Sequence, residues 1–164
     1  MSMPRERRRF DTRTPEEKEF EQRVVDLRRV TRVTAGGKRM RFRAAVLVGD
    51  GKGRIGFGLG KGADVAAATA KASRKARKTL LTIPMIKETI PHKIRAKYGA
   101  AVIMMKPAPR GTGIKAGGPM RAVFELAGLS NVVGKILGTT KNKVNIIRAT
   151  LGAIEQLKPV TTSQ

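Results

Sequence analysis

The pattern of apolar and polar positions between Arg39 and Leu81 predicts two strands followed by one helix. Apolar side chains alternate onto one face of the first strand, at Phe42, Ala44, Val46 and Val48. The second strand places Ile55, Phe57 and Leu59 on one face and Gly56, Gly58 and Gly60 on the other. Asp50-Gly51 lies between the strands and is a favoured hairpin signal, because a tight turn needs backbone at positive φ.

The predicted helix begins at about Ala63 and carries two separate stripes at helical spacing. The first stripe consists of Val65, Thr69, Ala72, Ala76 and Leu80. The second stripe is cationic and consists of Lys71, Arg74, Lys75 and Lys78. No acidic residue lies between Asp64 and Glu88. One face of this helix can therefore cover the strands while another presents cations to the phosphates of structured RNA.

Residues 23–34 are rich in β-branched side chains and predict a further strand, after which Gly36-Gly37 turns the chain. The tip of this hairpin is basic and contains no acid. A solvated hairpin is one interpretation. We favour a projecting loop that contacts RNA, because glycines let backbone N–H groups approach a phosphate closely.

Upstream of this hairpin, Thr14-Pro15 is typical of a helix start, although a mobile tail is the simpler interpretation.

A second unit follows the connector between Pro84 and Pro91. Ala100–Met105 is a continuous apolar run and predicts a strand buried on both faces. A glycine-rich stretch over 111–118 then precedes a helix opened by Pro119, and Ser130–Leu137 predicts another strand before the last helix. We therefore predict an α+β protein of two small domains, β-β-β-α over 20–83 and α/β over 86–158, with tails at 1–19 and 159–164.

Composition adds a strong constraint on the partner. The 164 residues carry a net charge of +23, with 40% hydrophobic residues, only 4% aromatic residues and no cysteine. Residues 1–26 are neutral overall, so all of the excess positive charge lies in the predicted folded body. A polyanion is the natural counterpart of such a body, and nucleic acid is favoured over an anionic membrane. No apolar run is long enough to span a membrane, and no signal peptide is visible.

The motifs that would indicate an enzyme are weak. Gly51–Gly56 matches the dinucleotide fingerprint by letter, but a strand follows it where the fingerprint needs a helix. His92 is the only histidine, and Glu88 is its only nearby acid, so neither a catalytic site nor a metal site is predicted. A nucleotide-binding, kinase-like enzyme using 111–118 is the alternative function, and a freestanding binder of double-stranded RNA is a third. We expect no cofactor and no small-molecule substrate.

The second glycine-rich stretch has two interpretations. It could be no more than a strand-to-helix turn. Helix N-termini attract anions through their free N–H groups and the helix dipole, and Arg110, Lys115 and Arg121 lie close in sequence. We favour contact with phosphate.

Two stretches resemble the signatures of the universal small-subunit ribosomal protein five family. The first runs from Gly36-Gly37-Lys38 through Ala45–Gly62, and the second comprises Pro107–Ile114, Gly117-Gly118, Arg121 and Gly138–Asn142. Both occur in the family's order and separation, and the resemblance covers about residues 20–158. The bacterial or organellar branch is the more similar one.

The resemblance implies a double-stranded-RNA-binding-like first domain that lacks a full first helix, and a second domain with a left-handed βαβ crossover. It implies binding of 16S-type ribosomal RNA near the junction of head and body, with roles in subunit assembly, translation and decoding accuracy. The hairpin tip at 32–41 would point toward the head beside the spectinomycin site. The face at Gly111–Ile114 would abut ribosomal protein four, and protein eight would be a second partner. The implied location is the cytoplasmic ribosome, or one in an organellar stroma or matrix.

The expected RNA-binding residues are basic, glycine or hydroxyl and amide residues in the motifs above. They are Arg29, Arg32, Thr34, Gly36, Gly37, Lys38, Arg39, Arg41, Arg43, Lys52, Arg54, Lys61, Lys71, Arg74, Lys75, Lys78, Arg110, Gly111, Thr112, Gly113, Lys115, Arg121, Lys141 and Asn142.

Overall fold

The computed structural model describes residues 19–158, and within them two four-stranded sheets are each covered by helix. The elements in chain order are β1 (Glu21–Thr34), β2 (Gly37–Gly49), β3 (Arg54–Gly62), α1 (Val65–Lys78), β4 (Leu80–Thr82), β5 (Ile94–Tyr98), β6 (Ala101–Pro107), β7 (Ile114–Lys115), α2 (Gly118–Ala127), β8 (Val132–Ile136) and α3 (Lys143–Glu155). The predicted α+β class with two domains is confirmed. The predicted helix start at Thr14-Pro15 lies outside the described residues. Across 19–158, no helix combines the length and apolarity needed to cross a bilayer.

Helix α1 packs directly on the glycine face of β3. A Cβ added to Gly58 would lie 2.0 Å from the carbonyl oxygen of Ala72, and one added to Gly60 would lie 2.2 Å from that of Ala68. On the helix side the buried residues are alanines spaced by four, at 68, 72 and 76. Because neither surface carries a large side chain, the helix backbone approaches the sheet closely. The predicted covering of the strands by this helix is therefore realised through glycine and alanine.

The predicted apolar stripe of α1 was right at Ala72 and Ala76 and wrong at its end. Leu80 belongs to the short strand β4, which the sequence did not predict, and it pairs with Gly56. The helix begins at Val65 rather than near Ala63, because the Asp64 side chain caps it by accepting a hydrogen bond from the Ala66 N–H at 3.2 Å.

The β1–β2 hairpin is longer than the sheet to which it belongs. Its turn is Ala35-Gly36, since Gly37 already pairs with Thr34; the predicted turn at Gly36-Gly37 was therefore wrong by one residue. Strand β3 pairs with β2 only over 42–49. The outer part of the hairpin, residues 30–41, consequently extends as a two-stranded ribbon.

The second sheet has the order β5-β6-β8-β7, with β7 and β8 parallel and joined through α2. This parallel pair is the crossover unit to which the family resemblance assigns a left-handed path. Ala101, Ile103 and Met105 of β6 are buried, whereas Val102 and Met104 are only half-buried. The prediction that this strand is buried on both faces was wrong, because alternate residues point to a face that no described helix covers.

The two units share one apolar core. Leu47, Ile55 and Ile83 of the first unit belong to the same buried cluster as Phe124 and Leu126 of α2. The backbone also joins the units, since Gly51 N–H donates to the Leu126 carbonyl at 3.0 Å and Gly53 N–H donates to the Ala127 carbonyl at 2.9 Å. The β2–β3 turn is thus held against the end of α2.

Because α1 packs so closely on β3, replacing glycine by alanine should have opposite effects on the free energy of unfolding at positions 58 and 152. Gly58→Ala should lower the free energy of unfolding by about 3 kcal/mol, because the new methyl group overlaps the Ala72 carbonyl. Gly152→Ala, in α3 with nothing within 4 Å of the added Cβ, should raise it by about 0.5–1 kcal/mol. Urea denaturation followed by circular dichroism measures both. Equal stability of the two variants would contradict the proposed packing.

Candidate nucleic-acid interface

The projecting ribbon gathers cations around a hollow on one of its faces. Arg32, Arg39 and Arg41 line this hollow of about 270 Å³ together with Lys61 of β3. The backbone brings them together because Val30 pairs with Arg41 and Arg32 pairs with Arg39, so alternate residues of both strands share this face. All four side chains are exposed, and all four are among the RNA-binding residues predicted from the sequence.

Arg32 and Arg39 form a directly opposed pair of like charges. Such cross-strand pairs destabilise a sheet when no counterion lies between them. An anion in the hollow would remove this repulsion, so the hollow favours phosphate. The other predicted residues of the tip, Arg29, Thr34, Gly36, Gly37 and Lys38, are also exposed.

The predicted cationic row of α1 faces solvent. Lys71, Arg74, Lys75 and Lys78 are all exposed, on the side of the helix away from its buried alanines. Lys75 and Lys78 also line a groove of about 350 Å³ with Phe57 of β3 and Arg148 of α3. The row therefore continues onto the second unit through Arg148, which the sequence did not single out. Arg148 lies beside Lys75 and Lys78 only because the two units pack together, and the sequence does not show this packing.

Three predicted cations already have anionic partners within the chain. Arg54 lies 2.6 Å from Asp50, Arg121 lies 2.7 Å from Glu125, and Arg43 lies 3.6 Å from Asp26. Each keeps part of its side chain exposed, but each also has a structural role. Asp50 and Glu125 lie four residues from Arg54 and Arg121, a spacing from which these two pairs could have been expected. Asp26, in contrast, approaches Arg43 from a neighbouring strand, and the sequence alone does not show that contact.

The glycine-rich stretch 111–118 divides into three parts in the structure. Arg110 and Gly111 are exposed in a loop, Lys115 is exposed in β7, and Gly117 precedes α2. Gly111 and Gly113 have φ angles of 86° and 72°, a left-handed backbone conformation that favours glycine at both positions. The Gly113 N–H donates to the Asn131 side chain at 3.2 Å, so this amide is already engaged. Thr112 is half-buried.

Two further predicted positions lie at the start of α3. Lys141 is exposed, while Asn142 caps the helix by accepting a hydrogen bond from the Val144 N–H at 3.1 Å. No group of three or more His, Asp and Glu side chains within 19–158 is arranged to hold a metal ion.

Comparison with protein families assigns both units. The model described as ribosomal protein S5, N-terminal domain, matches residues 20–84, and the model described as ribosomal protein S5, C-terminal domain, matches residues 96–163. Together these matches span well over half of the chain. The chain belongs to the ribosomal protein S5 family.

Membership of the S5 family confirms the family that the two sequence signatures indicated. S5 proteins are structural components of the small ribosomal subunit, with ribosomal RNA and ribosomal proteins as their partners. The chain is accordingly a small-subunit, RNA-binding protein of translation, and its location is the ribosome.

Asp50 organises the β2–β3 turn that this S5 chain presses against α2. Its carboxylate accepts hydrogen bonds from the backbone N–H groups of Lys52 and Arg54 at 2.8 and 3.0 Å, and from the Arg54 guanidinium. Burial opposes ionisation of the carboxyl group, whose side chain is only 4% exposed. The Arg54 and backbone hydrogen bonds outweigh this cost and lower the pKa of Asp50. Lys52 and Arg54 themselves remain exposed beside the turn.

The lowered pKa of Asp50 predicts a loss of stability in acid. A carboxyl group with a lowered pKa in the folded state stabilises the protein at neutral pH, and this contribution is lost as the pH falls below about 4 through the folded-state pKa. Asp50→Asn should therefore cost about 1–3 kcal/mol at pH 7 and reduce the further loss between pH 5 and pH 3. Urea denaturation at both pH values measures this. An acid dependence of Asp50→Asn equal to that of the wild-type protein would contradict this role of Asp50.

Proposed function

We propose that this S5 protein binds 16S-type ribosomal RNA near the head–body junction of the small subunit, by neutralising phosphates and recognising the shape of folded RNA. The hollow between Arg32, Arg39, Arg41 and Lys61 supports this proposal most strongly. The site presents exposed cations at a position where their mutual repulsion favours a bound anion. The cationic row of α1 provides a second phosphate-binding surface on the same unit.

The two surfaces would bind separate RNA elements. The ribbon projects beyond the sheet, whereas the α1 row lies across the sheet on the face that the helix covers. Strand pairing from β1 to β3 and the close packing of α1 on β3 hold these two surfaces at fixed positions. A folded RNA whose phosphates match both surfaces would bind in one orientation, which is how phosphate contacts position a protein without reading sequence.

The remaining expectations concern neighbouring proteins and decoding. The face at Gly111–Ile114, in the loop that follows Arg110, would contact ribosomal protein four and influence decoding accuracy, and protein eight would be a second neighbour. The hairpin tip would reach toward the head beside the spectinomycin site. Through these contacts the protein would contribute to subunit assembly and translation. The loop's support is its exposure together with its attachment to Asn131, which fixes it on the second sheet.

Salt dependence tests the phosphate roles. Arg39→Ala and Lys75→Ala should each weaken binding to a 16S-type ribosomal RNA transcript and lower the slope of log affinity against log salt by about 0.9. Lys158→Ala removes an exposed cation at the far end of the chain and should leave the slope unchanged. Filter binding over a range of KCl concentrations measures all three. An unchanged slope in both Arg39→Ala and Lys75→Ala would refute the assignment.

A further inference from the structure

The outward face of the second sheet is a cationic surface that the sequence motifs did not reveal. In this sheet Ile94, Ala96, Ile103, Met105 and Val132 point toward the helices and are buried or half-buried. The alternate residues point the other way. They include four exposed cations, which we call the sheet-face patch: Arg95, Lys97, Lys106 and Lys135.

Within residues 19–158, no carboxylate pairs with the sheet-face patch. Strands β5, β6, β7 and β8 contain no acidic residue. None of the four cations forms an ion pair with another residue in the described part of the chain. They differ in this respect from Arg43, Arg54 and Arg121, each of which lies beside a carboxylate of the chain.

Strand register spaces the cations across the face. Met104 lies between Arg95 and Lys135, so these two cations stand two strands apart, about 10 Å from each other. Val133 lies between Lys106 and Lys115 in the same way. An apolar residue thus separates the cations within each row, which avoids a directly opposed like-charge pair and keeps the surface broad and evenly positive.

We propose that the sheet-face patch is a further RNA-binding surface, which holds the sugar-phosphate backbone of a double-helical RNA segment. The proposal rests on the proposed function, because it extends RNA binding to a second face of the protein. Charge complementarity identifies a polyanion as the occupant. The face presents four unpaired cations in addition to Lys115, which continues it toward the exposed loop at Arg110 and Gly111.

The chemistry of the face favours the backbone of a helix over unstacked bases. Proteins that bind single-stranded RNA stack bases on aromatic side chains. The outward residues of β5, β6 and β8 include no aromatic residue; between the cations they are Val102, Met104 and Val133. These half-buried aliphatic side chains can contact ribose while the lysines and the arginine reach phosphates on either side. Recognition would therefore follow RNA shape, and not base identity.

A double variant tests this surface separately from the ribbon. Arg95→Gln/Lys135→Gln removes both cations of one row and should lower the salt slope of binding to the 16S-type transcript by about 1.8, twice the value for one phosphate. Both side chains are exposed, so folding should be unaffected, and thermal unfolding checks this. Lys38→Gln/Arg39→Gln provides the matched loss of two charges at the ribbon, and Lys158→Gln provides the control.

The outcomes separate the two proposals. A lower slope for the ribbon variant with a wild-type slope for Arg95→Gln/Lys135→Gln would overturn the sheet-face proposal and leave the proposed function intact. The reverse result would support the sheet face and remove the phosphate role of the ribbon. Absence of transcript binding by the wild-type protein would overturn both.

A competition experiment tests the preference for double-helical RNA. An RNA duplex should compete better than a single strand of equal length for the sheet face, and equal competition would contradict this preference.

Proximity gives a second and independent measurement. The chain contains no cysteine, so Lys135→Cys creates a unique attachment point for a tethered iron chelate that generates hydroxyl radicals. In reconstituted small subunits this probe should cleave helical ribosomal RNA, whereas the same probe at Lys158→Cys should give a different pattern. If the probe at Lys135→Cys cleaves a neighbouring ribosomal protein and no ribosomal RNA, the face has a protein partner and the proposal is overturned.

Discussion

The contact between the β2–β3 turn and the end of α2 holds the molecule together. Two backbone hydrogen bonds cross it, and the carboxylate of Asp50 fixes the turn that makes them. The packing leaves no room for side chains, since a Cβ on Gly128 would lie 1.9 Å from the carbonyl oxygen of Gly51. Gly128 also has a φ of 79°, so its backbone conformation and its surroundings both favour glycine. The contact therefore sets the position of the cationic surfaces of the first unit relative to the sheet-face patch of the second.

Ion pairs reinforce the same junction and explain why some cations are unavailable. Glu125 of α2 receives hydrogen bonds from Arg121 and from Arg23 of β1, and these bonds lower its pKa. Asp26 is buried and lies 3.8 Å from Lys143 at the start of α3. Only five acids lie beyond residue 26, and two of them, Asp50 and Glu125, lie where the units meet. The scarcity elsewhere leaves the outer surfaces free to attract a polyanion.

Periodicity predicted which way side chains point, but it did not predict what covers them. Alternation in 42–48 and 55–59 correctly gave the two faces of β2 and β3, and helical spacing correctly exposed the cations of α1. The same pattern could not show that Leu47 and Ile55 pack against another domain, or that the outward face of β6 stays open, because both depend on pairing between distant segments. The two family signatures supplied the identity that alternation could not. Arg148 and the sheet-face patch escaped notice because their residues are scattered along the chain.

The glycine–alanine packing of the first unit has a consequence for folding. Its own buried cluster consists of Ala44, Val46, Val48, Ala68, Ala72 and Ala76, with Phe20 and Phe42 at its edge. Alanine side chains remove little apolar area from water, so this cluster contributes little hydrophobic free energy for a unit of its size. The larger side chains on the opposite face of the sheet, Leu47 and Ile55, are buried only against α2 and its neighbours. The folded state of the amino-terminal unit therefore depends on its contact with the carboxy-terminal unit. The two units should unfold together in a single cooperative transition.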